Sequence, residues 1–76
     1  MSKLPLINVK QFEKLLFQLG FEFKRQKGSH VFYRHPDGRY TTLPHHGNQL
    51  ISRSLIRQIL REIELSADEF IRLINQ

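Results

Sequence analysis

The sequence predicts an α+β domain: a three-stranded antiparallel sheet packed on two helices, with a short C-terminal helix after them. Three observations carry that expectation. An apolar stripe at helical spacing runs through residues 9–19. Residues 21–44 are rich in β-branched and aromatic side chains and are broken twice by glycine turns. Two more apolar stripes follow, each introduced by a serine. An antiparallel meander leaves one face to be covered, and amphipathic helices can cover it.

Each element has its own signal. Asn8 is suited to cap a helix, and Gln11 three residues later completes a capping box. Val9, Phe12, Leu15, Leu16 and Leu19 then recur at helical spacing, and Gly20 supplies the stop, so the first helix is expected over 8–19. FEFKRQ (21–26) alternates Phe21 and Phe23 with Glu22 and Lys24 and reads as a strand. Lys27, Gly28 and Ser29 make a turn, and HVFYRH (30–35) is the second strand. Pro36, Asp37 and Gly38 form a hairpin turn, since proline presets φ and glycine accepts positive φ. RYTTLP (39–44) is the third strand, ended by Pro44. After the loop HHGNQLI, Ser52 is expected to cap a helix bearing Leu55, Ile56, Ile59, Leu60 and Ile63. Ser66 and Glu69 spell a capping box for a last helix bearing Phe70, Leu73 and Ile74. The phenylalanines are expected mostly in the core. The α-β-β-β-α order is the plan of the double-stranded-RNA-binding domain and its relatives.

With 76 residues the chain is expected to be a single domain, 1–76. A domain of this size buries only roughly 60% of the surface its unfolded chain exposes, so its core is thin. There is no cysteine, which excludes disulfides and thiolate metal sites and favours a reducing compartment. MSKLPLINV contains no apolar run long enough for a signal peptide or a membrane span, so a soluble, cytoplasmic protein is expected. The net charge is +5, and its distribution is uneven. Lys24, Arg25, Lys27, Arg34, Arg39, Arg53 and Arg57 lie in one stretch opposed only by Asp37, whereas Glu62, Glu64, Asp68 and Glu69 collect near the C-terminus. A basic middle of this kind attracts polyanions, nucleic acid first, or serves as a solvated surface.

The histidines raise the question of a site. His30 and His35 stand an odd number of residues apart on one strand and therefore face opposite ways, which argues against a shared metal. A two-residue Asp37-Gly38 loop would set His30 across from His45 and gather Phe32 and Leu43 on its face. A three-residue Pro36-Asp37-Gly38 loop would set it across from Pro44. The first register is the preferred expectation. In either, His30 lies beside the end of the third strand, where the chain continues through His45 and His46 toward Ser52. The first hairpin is expected to bring Arg25 or Gln26 next to it.

A helix N-terminus there would favour an anion, with Ser52, Arg53 and Ser54 adding donors. These are parts suited to hold a phosphodiester and move its protons. An imidazole with an unperturbed pKa of about 6.5 takes and gives protons near neutral pH. In RNA the 2′-OH is itself a nucleophile, so the chemistry needs no metal. Equally, a strand histidine is an ordinary surface residue, and pattern alone leaves both readings of His30 open. Tyr33 and Tyr40 have the same two readings, base stacking or packing. Arg53, Arg57 and Arg61 recur every four residues as either a phosphate-tracking stripe or a solvated helix face.

RQKGSHVFYRHPDGR, LPHHG and the S-x-x-L-I-R-Q-I-L helix resemble the HicA family of toxins, small mRNA interferases paired with HicB antitoxins. Gly28-Ser29-His30 is the most specific part of that resemblance, which runs from the first helix to the second. It implies a fold similar to the double-stranded-RNA-binding domain and metal-independent cleavage of mRNA that arrests translation. It also implies a catalytic role for His30, no cofactor, and a HicB-type antitoxin that blocks the toxin. The free toxin is then expected as a monomer, and a hetero-oligomer with its antitoxin. Arg25, Lys27, Gly28, Ser29, His45, His46, Ser52 and Arg53 are the expected substrate-binding residues. The lysine-rich start of the second helix typical of duplex-RNA binders is missing. A non-catalytic RNA-binding module of the same fold is the alternative. The last helix, 66–75, lies beyond the resemblance and is expected either to complete the core or to meet the antitoxin.

Overall fold

Asn8 begins the first helix, α1 (Val9–Gln18), with both halves of the expected capping box. Its side chain accepts from the Gln11 N–H at 2.8 Å, and the Gln11 side chain accepts from the Asn8 N–H at 2.9 Å. In the computed structural model, which describes residues 4–45 and 48–76, α1 is followed by β1 (Glu22–Lys27), β2 (His30–Arg34), β3 (Tyr40–Pro44), α2 (Arg53–Ile63) and α3 (Ala67–Ile74). The order is the expected one, and the element ends differ from expectation by a residue or so. Ser52 caps α2 and Ser66 caps α3, each accepting from the N–H three residues on. The box at Ser66 is only half made, because the Glu69 carboxylate turns to Arg72 at 2.7 Å. No helix is long and apolar enough to cross a membrane.

The three strands form one antiparallel sheet in the order β1-β2-β3. The turn between β2 and β3 overturns the preferred register. His35 N–H donates to the Arg39 carbonyl at 2.7 Å, and Gly38 N–H to the His35 carbonyl at 2.9 Å. The loop is therefore the three residues Pro36, Asp37 and Gly38, with Gly38 at φ +103. A type I turn followed by a positive-φ glycine is the usual form of such a loop. Asp37 and Arg39 hold it shut. The Asp37 carboxylate accepts the Arg39 N–H at 3.0 Å and the Arg39 Nε–H at 2.8 Å. The backbone N–H of Arg39 first, then its guanidinium, hold the Asp37 carboxyl below the usual carboxylate range. Arg39 also donates to the carbonyl of Ile63, the last residue of α2, and lies 5.3 Å over the Phe21 ring. A cation at a helix C-terminus meets the negative end of the dipole.

This register sets His30 across from Pro44, Val31 from Leu43, Phe32 from Thr42 and Tyr33 from Thr41. Val31, Tyr33, Thr41 and Leu43 are buried under the helices. Tyr33 donates to Glu13 of α1, and burial first, then that carboxylate, push its phenol well above its usual range. Thr41 donates to Glu62 of α2 at 2.7 Å. The core between sheet and helices includes Phe12, Leu16, Leu43, Ile56, Ile63 and Phe70, all fully excluded from solvent.

Phe70 answers the question of α3. Its ring stacks on Phe12 of α1 with centroids 5.6 Å apart. The last helix therefore completes the core. Not all the phenylalanines do so: Phe17 and Phe23 are about half exposed, at 48% and 52%, flanking the Tyr33 ring.

Phe70→Ala is expected to cost about 3–5 kcal/mol, the usual range for emptying a fully buried aromatic site. That is a large share of the about 5–15 kcal/mol that stabilises a domain. Urea denaturation followed by circular dichroism measures it, and a wild-type midpoint would contradict the role given to α3.

Candidate functional site

A two-residue turn aims the site. Gly28 and Ser29 join β1 to β2 with Gly28 at φ +58, and Lys27 pairs directly with His30. Hairpin loops of two residues require positive φ at the first position, and glycine reaches it without strain. The Gln26 side chain donates to the Gly28 carbonyl at 3.2 Å. From the other side, His45 N–H donates to the Ser29 carbonyl at 2.7 Å, which carries the β2–β3 ladder past its last strand pair. The residue beside His30 is thus Lys27, and the expected Arg25 or Gln26 is corrected. The tightness of the loop is the reason.

A bulge then sorts β1 onto two faces. Phe23 pairs with Tyr33 but Arg25 pairs with Phe32, so Lys24 is the extra residue. Two residues opposing one reverses the side-chain alternation on the bulged strand. Phe23 therefore sits on the helix side, with its ring edge-on to Tyr33 at 6.3 Å. Arg25 and Lys27 sit on the other side, beside Phe32 and His30. The Arg25 guanidinium lies 5.0 Å over the Phe32 ring.

The open face of the sheet can now be read residue by residue. β2 contributes His30, Phe32 and Arg34, which alternate with buried Val31 and Tyr33. β3 contributes Tyr40, Thr42 and Pro44, which alternate with buried Thr41 and Leu43. β1 contributes Arg25 and Lys27, and Glu22 across from Arg34. Glu22 is met by Lys24 at 3.5 Å. The face is therefore cationic, with one carboxylate at its far end. His30 is exposed, and its imidazole makes no hydrogen bond among the described residues. It can exchange a proton with a ligand without first breaking a bond inside the protein.

The other expected residues fall into three groups. Lys27 pairs with His30, Gly28 and Ser29 form the turn before it, and the His45 backbone bonds Ser29. Arg25 stands one pair further along the same face. Ser52 and Arg53 stand at the start of α2. The Ser52 hydroxyl caps α2, and the Arg53 Nε–H donates to the Leu4 carbonyl at 2.8 Å, so both are engaged in holding α2 in place. Arg57 and Arg61 border a separate groove between α2 and α3. His46 lies outside the described residues. His35 does face away from His30: its ring packs edge-on against Phe21 at 5.2 Å. Its Nδ1 is within hydrogen-bonding distance of the Asp37 N–H, at 3.1 Å, and the Asp37 carboxylate, at 3.0 Å. His35 is thus part of the turn.

Phe32 shares the face of His30 as expected, but that face is the open one and not a core face, and Leu43, expected beside it, is buried on the other. The three-residue Pro-Asp-Gly loop is the reason: it shifts β3 by one residue, which pairs Phe32 with Thr42 and turns Leu43 to the inner face. Of the two tyrosines, Tyr33 packs and Tyr40 is 67% exposed on the open face.

The family model described as the HicA toxin of bacterial toxin–antitoxin matches residues 9–65, from α1 to just past α2. No curated protein matches the chain.

Gly20 and Gly28 give contrasting expectations. Both have positive φ, so alanine at either is expected to cost about 1–2 kcal/mol. At Gly28 an added Cβ meets nothing, and Gly28→Asn should recover much of the loss because asparagine tolerates this conformation. At Gly20 the Cβ would stand 3.0 Å from His35 Nε2, and Gly20→Asn should recover little. Chemical denaturation of the four variants checks both, and equal rescue at the two positions would contradict the His35 contact.

Proposed function

This chain belongs to the HicA toxin family of bacterial toxin–antitoxin systems, and we propose on that premise that it is a metal-independent endoribonuclease that cuts mRNA and arrests translation. The observation that carries the reading is the exposed His30 directly across from Lys27, on the cationic open face of the sheet. His30 is the proton-transfer group. As base it takes the proton of a ribose 2′-OH, whose oxygen attacks the adjacent phosphorus. As acid it, or His45 on the neighbouring strand end, gives a proton to the departing 5′ oxygen. The P–O5′ bond breaks, and the products are a 2′,3′-cyclic phosphate and a free 5′-OH. Lys27 and Arg25 offset the charge that grows on the non-bridging phosphate oxygens. Gly28 and Ser29 set the approach of the backbone. Ser52 and Arg53, tied to the helix layer, support the fold in this scheme and do not contact the scissile phosphate.

The partner is a HicB-type antitoxin that neutralises the toxin by covering this open end. The free toxin acts as a monomer in the cytoplasm, and the complex is a hetero-oligomer.

His30→Ala is expected to fold like the wild type, since an exposed substitution free of special contacts shifts stability by about 0.5 kcal/mol or less. Its RNA cleavage should fall by about 10²-fold or more, the usual contribution of a general acid–base group. Cleavage by wild type should persist in EDTA. A folded His30→Ala protein that still cuts RNA and still stops growth would remove His30 from the mechanism. RNA bound but never cut by wild type would point to the non-catalytic module.

A further inference from the structure

Phe32 and Tyr40 are aromatic rings on a sheet face that no helix covers, and neither serves the core. Phe32 is half-buried, with the Arg25 guanidinium lying over its ring at 5.0 Å. Tyr40 is 67% exposed and pairs across the sheet with Arg34. Thr42 is the direct partner of Phe32, so Tyr40 is its diagonal neighbour, at about 7–8 Å between strands. An exposed aromatic costs free energy in water and is more often found inside. Two of them on one face, interleaved with Arg25, Lys27 and Arg34, form the pattern of surfaces that bind unpaired nucleotides. There rings and guanidinium planes stack on bases while cations follow the backbone.

Resting on the ribonuclease reading of His30, we propose that the open face of the sheet is a stacking platform for single-stranded RNA: one base packs on the Arg25–Phe32 pair, a neighbouring base packs on Tyr40, and the backbone beside them passes His30. The geometry of β2 sets the spacing. His30 and Phe32 are two residues apart, which is about 6.8 Å along a strand, comparable to one extended nucleotide step. A base held on Phe32 therefore brings the next phosphodiester to the His30–Lys27 pair.

Duplex RNA does not fit this surface, because paired bases hide their faces within the stack. An acidic protein segment would satisfy Arg25, Lys27 and Arg34 but has no use for the flat Arg25–Phe32 stack. The charge complementarity and the rings together select unpaired RNA. Glu22 at the far end, bridged to Lys24, limits the cationic track on that side.

The test uses full-length protein carrying His30→Ala, so that RNA is bound and not cut. The probes are a fluorescent single-stranded RNA decamer of mixed sequence and the same decamer annealed to its complement. Binding is read by anisotropy at fixed salt. The single strand is expected to bind at least about tenfold more tightly than the duplex. Phe32→Leu, which keeps an apolar body and loses the π face, and Tyr40→Ala should each weaken single-strand binding about tenfold. Their thermal unfolding should match the parent. Folded Phe32→Leu and Tyr40→Ala proteins that bind the single strand as the parent does would overturn the platform, as would equal affinity for the duplex. Cleavage of the decamer by His30-containing protein is measured in parallel. Cleavage with unchanged binding by the variants would overturn the platform alone. A wild type that neither binds nor cuts RNA would overturn both the platform and the ribonuclease reading.

Discussion

The Asp37–Arg39 turn sets the register on which the rest of the molecule depends. Side chains alternate with a period of two along a strand, so a slip of one residue would turn every residue of β3 to the other face. With Gly38 at positive φ and the Asp37 carboxylate gripping Arg39, the loop has three residues. Val31 and Tyr33 then share the inner face with Thr41 and Leu43. Arg39 extends the same constraint to the helix layer, through the Ile63 carbonyl and the Phe21 ring. One side chain thereby ties the hairpin to the end of α2 and to the segment entering β1.

A second constraint acts on the opposite edge. The bulge at Lys24 leaves Phe23 with the helices and turns Arg25 and Lys27 outward. Bulges and charged residues also protect an edge strand from pairing with another chain. Here the same device supplies the cations beside Phe32 and His30. The positive charge of the molecule is in this way divided. Arg25, Lys27 and Arg34 belong to the open face, Arg53 is tied to Leu4, and Arg57 and Arg61 border the α2–α3 groove. A net charge computed along the chain merges surfaces that the fold keeps apart.

Much of the fold was legible because its signals are local. Asn8 with Gln11, Ser52 and Ser66 are caps whose partners lie three residues away, and the apolar stripes of α1 and α2 are buried as the periodicity requires. The position of His30 at a strand start and its separation from His35 were likewise readable from spacing. The neighbours of His30 were not. They depend on the length of two turns and on a bulge, and each is a one-residue decision between states that the same residues allow. Leu43 left the face of His30 for that reason, and Arg25 or Gln26 gave way to Lys27 beside it. Ser52 and Arg53 were offered to a ligand by spacing, and their partners, Leu55 and Leu4, tie them to the start of α2. The role of α3 rested on a contact between Phe70 and Phe12, far apart in the chain, which no local pattern encodes.

The central claim is that these constraints make the open face of the sheet, and not the helices, the working surface. Mapping of backbone amide shifts by NMR during titration of the His30→Ala protein with single-stranded RNA tests it most directly. The amides of Arg25, Lys27, Phe32, Arg34, Tyr40 and Thr42 are expected to move, while those on the exposed sides of α1 and α2 stay in place. Shifts concentrated on α1 and the first turn of α2, with the sheet amides unmoved, would contradict the claim.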